Sequence, residues 1–208
     1  LSLSLFLWQI FIDFDFSEII KNKTNIESGT MAYRPPEYFI KTRISNLKHL
    51  LPSSQLVPGI ESIIRHVNSM GLPMAVATSS HRDAYEAKIS KHNDLFDLFG
   101  DKIVCGNEIK KGKPSPEIFL KALDHINEYQ KQIKQNFQYL KPENVLVFED
   151  AAFGAKAAFD GGFPSVILKA SEGNTLNSKL EKLKVKPVLI VDSFKDFKFE
   201  QFIWEVPN

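Results

Sequence analysis

The sequence is short of several things, and each shortage narrows its possible roles. It has a single cysteine, Cys105, so no internal disulfide can form; a lone thiol suits a reducing compartment, and the cytoplasm is the expected location. The sequon-like Asn22-Lys23-Thr24 is expected to be silent there. Charge of one sign is missing too. Lys+Arg 26 against Asp+Glu 25 leaves a net charge of +1, which provides neither a nucleic-acid footprint nor a strong pull toward a membrane surface. The apolar opening "LSLSLFLWQIFI" is too short to span a bilayer and lacks the basic flank and small-residue cleavage site of a targeting segment. His49, His66, His81, His92 and His125 lack metal-ligand spacing. Partners are therefore expected to be small molecules or proteins, and nothing in the residues fixes an oligomeric state.

What is present is a globular chain. Its 208 residues, 43% of them hydrophobic, are enough for one sizeable core. From Pro58 onward helix and strand patterns alternate. Residues 59–70 carry Ile60, Ile63, Ile64 and Val67 on one helical stripe, with Gly71 placed to end the helix. "PMAVAT" and "NVLVFE" are short and nearly all apolar, as expected of parallel strands covered on both faces. Ser80 with Asp83 reads as a capping box for the next helix, and Ser115 with Pro116 as the start of another. Residues 127–141 are polar and Gln-rich and read as a helix extension plus surface connector. "SVILK" and "VLIV" complete the strands. This rhythm predicts an α/β fold, a doubly wound parallel sheet with helices on both faces, in a single domain spanning residues 1–208. Before it, residues 17–57 break the pattern with a polar loop and one amphipathic helix from about Pro36, predicting a reduced helical cap.

Ligands of such sheets bind at the carboxyl ends of the strands, where four stations stand out: Asp13 and Asp15, Thr78, Lys113, and Glu149 with Asp150. Each has an ordinary explanation. Thr78 would satisfy free backbone N–H groups, Lys113 would be a solvated lysine in "KKGKP", and Asp150 would cap the next helix. Cys105 reads as a buried small hydrophobe rather than a nucleophile.

Taken together, "MAVATSS", "KKGKPSPEIFL" and "VLVFEDAAFGAKAAFDGG" resemble the haloacid dehalogenase-like hydrolases, the last stretch through Glu149, Asp150, Gly154, Ala157, Ala158 and Gly161. "LVPGIESIIRHV", "KISKHNDLFDLF" and "DSFKDFKFEQF" resemble the branch containing pseudouridine-5'-phosphate phosphatases and glycerol-phosphate phosphatases. The resemblance implies a Rossmann-like core and a Mg²⁺-dependent phosphatase acting on a small phosphorylated metabolite. It further implies that Asp13 is the nucleophile forming an aspartyl-phosphate and Asp15 the general acid and base. Thr78 and Lys113 would then hold the phosphoryl group, and the metal would be bound by Asp13, Asp15, Glu149 and Asp150. These residue types suit the chemistry: lysine is a compact charge for a phosphate oxygen, and paired carboxylates suit an all-oxygen Mg²⁺ shell.

The first motif departs from the family pattern. Phe16 stands where a glycine would let the chain turn and bring amides to phosphate, and the distance to Pro58 leaves little room for a cap. Two alignments remain open. Either residues 5–12 form the central strand ending at Asp13, or "WQIFIDFDF" is a cap helix and the chain is a noncatalytic binding or interaction module. The near-continuous apolar run, and the need to fill the centre of the sheet, favour the strand.

Overall fold

The computed structural model describes residues 2–3, 5–8, 12–13, 50–135, 137–169 and 173–205, those before residue 50 through their backbone alone. Six strands make one parallel sheet: β1 (Leu5–Trp8), β2 (Met74–Thr78), β3 (Ile103–Cys105), β4 (Val145–Glu149), β5 (Ser165–Leu168) and β6 (Leu189–Val191), in the order β3-β2-β1-β4-β5-β6. Strand order reverses at β1, which opens a crevice at the carboxyl ends of β1 and its two neighbours. Residues 5–8 thus fill the central slot, parallel to β2 on one side and β4 on the other.

Alternation along the strands divides the core in two. Met74 and Val76 of β2, with Leu146 and Phe148 of β4, face α1 (Ile60–Ser69) and the C-terminal aromatics. Ala75, Ala77, Val145 and Val147 face the opposite way. There, beyond α2 (Arg82–Ile89) and the short α3 (Asn93–Phe96) in the chain, they meet α4 (Glu117–Ile133) and α5 (Ala152–Asp160), which present Ile118, Phe119, Ala122, Ala157 and Ala158. Both strands are buried along their whole length, which explains why their sequences are nearly pure hydrophobe. On the α1 side, Phe148 meets Phe194 and Phe197 edge-on at 5.7 and 5.1 Å. Burying one such ring contributes about 1.5–3 kcal/mol. The Phe-rich tail is therefore docked on the core, with Phe199, Phe202 and Trp204 packed against its edge.

Gly71 ends α1 as expected, at φ 68 with its N–H on the Asn68 carbonyl. Other local features differ from the sequence expectation. α2 has His81 at its N-cap with no cap from that side chain, and the Ser80–Asp83 box does not form. α4 begins at Glu117, one residue late, and Ser115 Oγ accepts from the Glu117 N–H at 3.4 Å. The polar connector is anchored rather than loose: Asn127 is buried, donates from Nδ2 to the Leu140 carbonyl at 3.0 Å and accepts the Leu140 N–H at 2.9 Å. Of the proposed cap, residues 17–49 lie outside the described residues. The remainder includes a single 3-10 turn at Leu51–Ser53 and Gln55–Leu56, which pairs antiparallel with Ile12–Asp13. No helix among the described residues is long and apolar enough to cross a membrane.

Candidate active site

The carboxyl end of β4 carries the most strongly determined group in the crevice. Glu149 is 0% exposed, and each of its oxygens is engaged. Oε2 accepts the backbone N–H groups of Asp150 (2.8 Å) and Ala151 (2.9 Å), while Oε1 pairs with the Lys113 ammonium. An ionised carboxylate with two amides and an ammonium has the partners a buried charge requires. Gly154 makes the space: a Cβ there would overlap the Glu149 carboxylate, so the first turn of α5 closes over this side chain only with glycine at that position.

Lys113 is not the solvated lysine its sequence context suggests. Its side chain is 7% exposed, and its ammonium lies 4.7 Å from the centre of the Phe119 ring as well as against Glu149. The loop that delivers it is fastened to α4, because the Glu117 carboxylate accepts the Lys110 N–H at 2.6 Å and the Lys111 N–H at 2.9 Å. Those amides also hold the Glu117 carboxyl below the usual carboxylate range. Sequence could not pair Lys113 with Glu149, since 36 residues and a whole helix separate them.

Asp150 follows at the strand's tip, where burial first, and then the negative charge of Glu149, push its carboxyl up to about 7, with Lys113 opposing. Ala151, rather than Asp150, is the N-cap residue of α5. Glu149 and Asp150 offer carboxylate oxygens of the kind Mg²⁺ takes, beside the Lys113 ammonium, and among the described residues no third carboxylate, histidine or cysteine joins them.

Across β1 in the same sheet, Thr78 ends β2 with 3% exposure. Its Oγ1 accepts the Ser80 N–H at 3.1 Å, which leaves the hydroxyl proton to donate. Ser80 Oγ in turn accepts from Lys88 Nζ at 3.0 Å. Lys88 was not singled out from sequence. Its position three residues after the buried Tyr85 on α2 is the signal that sets it on the inward side. Burial pulls the Lys88 pKa down, and the charge of Asp150 pushes it part of the way back. Cys105 is fully buried and its thiol is raised to about 11, chiefly by burial, so it has the character of a packed hydrophobe.

The structure thus brings Lys113, Glu149 and Asp150 together and sets Thr78 at the end of β2, the strand two places away in the same sheet. Asp13 is placed through its backbone, opposite Gln55, in the short antiparallel pair. The described part of β1 runs parallel to β4 from Leu5, opposite Val145, to Trp8, opposite Phe148. Asp15 lies outside the described residues.

Comparison with known proteins agrees with this architecture. A haloacid dehalogenase-like hydrolase family model matches residues 29–162. The chain is 32% identical over 185 residues to (DL)-glycerol-3-phosphatase 1, mitochondrial, of Arabidopsis thaliana, covering 88% of this chain and 56% of that protein. It is 34% identical over 170 residues to a probable pseudouridine-5'-phosphatase of Drosophila melanogaster, covering 80% of this chain and 66% of that one. The chain therefore spans a little over half to two thirds of the length of these relatives. Among solved structures, a HAD family hydrolase from Deinococcus radiodurans R1 with bound phosphate and sodium superimposes with a TM-score of 0.68 at 14% identity, covering 93% of each chain. With a family model across most of its length and relatives above 30% identity, the chain belongs to the haloacid dehalogenase-like hydrolases.

Proposed function

We propose that the chain is a Mg²⁺-dependent phosphatase, located in the cytoplasm, that hydrolyses a small phosphate monoester through an aspartyl-phosphate. The observation that carries this reading is the buried Lys113 ammonium, held by Glu149 beside Asp150 at the carboxyl end of the sheet. Burying a lysine is costly, and a site that does so next to a desolvated carboxyl is arranged for a ligand bearing negative charge. Lys113 and the Thr78 hydroxyl would bind the phosphoryl oxygens. The Asp13 carboxylate attacks phosphorus and the bond to the ester oxygen breaks, with Asp15 giving that oxygen its proton. Water then attacks phosphorus with Asp15 taking its proton, which releases phosphate and restores Asp13. Asp13, Asp15, Glu149 and Asp150 would hold Mg²⁺, which when bound offsets the charge of the phosphoryl group. Residues 17–57 would form a reduced cap, and a smaller cap implies a more open site and weaker discrimination among substrates. The relatives named as glycerol-phosphate and pseudouridine-phosphate phosphatases set the substrates to try first.

A second reading, a noncatalytic phosphometabolite-binding or interaction module, is favoured by one feature of the sequence: Phe16 stands where a glycine would let the chain turn and bring amides to phosphate. Phosphate release from a panel of small phosphate esters, with and without Mg²⁺, decides between the two. The phosphatase reading expects Mg²⁺-dependent release that Asp13→Asn abolishes. Undiminished release by Asp13→Asn would remove Asp13 as nucleophile, and no release by wild type would support the binding module.

A further inference from the structure

We propose that Lys88 is a positioning residue of the phosphate site, holding the Thr78 hydroxyl in place through Ser80 and adding a second ammonium to the one Lys113 supplies. The inference rests on the phosphate-binding role given above to Thr78 and Lys113.

The opening of α2 is the first indication. Ser80 and Asp83 have the spacing to cap this helix, yet neither does: Asn107 Oδ1 accepts the Arg82 N–H at 3.1 Å, and the Ser80 hydroxyl accepts instead from Lys88 Nζ at 3.0 Å. A serine at a helix start ordinarily satisfies free N–H groups of the first turn, and here that contribution is given up. What the arrangement secures is the loop after β2. Ser80 N–H donates to Thr78 Oγ1 at 3.1 Å, and the Ser80 carbonyl accepts the Gly106 N–H at 2.8 Å. The approach at Gly106 is so close that a Cβ there would collide with the Ser79 carbonyl oxygen. The loop is thus clamped at its backbone by Gly106 and at its side chain by Lys88.

The position of Lys88 provides the second indication. It shares a face with the buried Tyr85, is itself half-buried, and lies within electrostatic reach of Asp150. A lysine serving only solubility would extend into water from the outer face of α2. Lys88 turns its charge toward the end of the sheet where the phosphoryl group would sit, and its donor orients the loop carrying Thr78. With one lone pair of Thr78 Oγ1 fixed by the Ser80 amide, the hydroxyl proton is free to aim at an incoming oxygen.

The test is calorimetric titration of the full chain with inorganic phosphate in excess Mg²⁺, using wild type, Lys88→Met, Lys88→Arg, Ser80→Ala and the Lys88→Met/Ser80→Ala double variant. Lys88→Met is expected to weaken phosphate binding about tenfold, the scale of one charge-assisted contact. Lys88→Arg, which keeps the charge, should recover most of that loss. Ser80→Ala should weaken binding by about threefold or more, and the double variant should bind no worse than Lys88→Met within about twofold, as coupling through one contact requires. A Lys88→Met protein that binds phosphate like wild type, whatever its melting temperature, overturns the inference and leaves the proposed function standing. Effects that multiply in the double variant overturn the relay through Ser80. Wild type that binds no phosphate overturns both readings.

Discussion

Two sets of ion pairs in this molecule use the same chemistry to different ends. On α1, Arg65 reaches Glu61 at 2.9 Å and Asp94 at 2.7 Å, with side chains 47%, 53% and 74% exposed. At the carboxyl end of the sheet, Lys113 meets Glu149 with exposures of 7% and 0%. The surface cluster is screened by water and contributes little. The buried pair has surrendered its hydration and is tolerable only because two amides, an ammonium and an aromatic face surround the charges. A fold gains little stability from such a pair relative to hydrophobes of similar size, so its presence at a strand end points to chemistry rather than to architecture.

That contrast can be broken in graded steps. The largest effect is expected from Glu149→Gln, which removes the carboxylate facing Lys113 and should destabilise the fold by about 3 kcal/mol. The lower end of the usual range applies because Asp150 still supplies negative charge nearby. Chemical denaturation should show a reduced midpoint with an unchanged slope. Gly154→Ala comes next, since the added methyl must displace the Glu149 carboxylate; a loss of about 1–3 kcal/mol is expected in the same measurement. Cys105 sharpens the picture of the covered sheet edge. With its thiol raised to about 11, iodoacetamide at pH 8 should leave the native chain unlabelled and modify it only after unfolding, whereas rapid native labelling would mean the edge is open. The smallest effect belongs to Arg65→Ala, whose melting temperature should be indistinguishable from wild type.

The parts of the fold legible in the sequence were those governed by burial. "MAVAT" and "VLVFE" announce themselves because a strand covered on both faces has no polar position, and Gly71 does so because the end of α1 needs a positive φ. Lys113, Glu149, Asp150 and Thr78 could be picked out as candidates, but not their partners. Lys113 looked solvated because its burial depends on Glu149 and Phe119, which only the folded sheet brings near. Ser80 looked like a cap because local spacing cannot reveal that a lysine eight residues on would claim its hydroxyl. Asn127 looked like surface because its two bonds to Leu140 close a loop that sequence leaves open. In each case a long-range contact outweighed a local preference.

The most direct measurement of the central claim, that the buried pair serves phosphate chemistry, is the Mg²⁺-dependent rate of phosphate release by Lys113→Met set beside Arg65→Ala. A loss of roughly a hundredfold or more in kcat/KM for Lys113→Met, with its fold retained and with Arg65→Ala at the wild-type rate, is the predicted result. A folded Lys113→Met protein releasing phosphate as fast as wild type would contradict it.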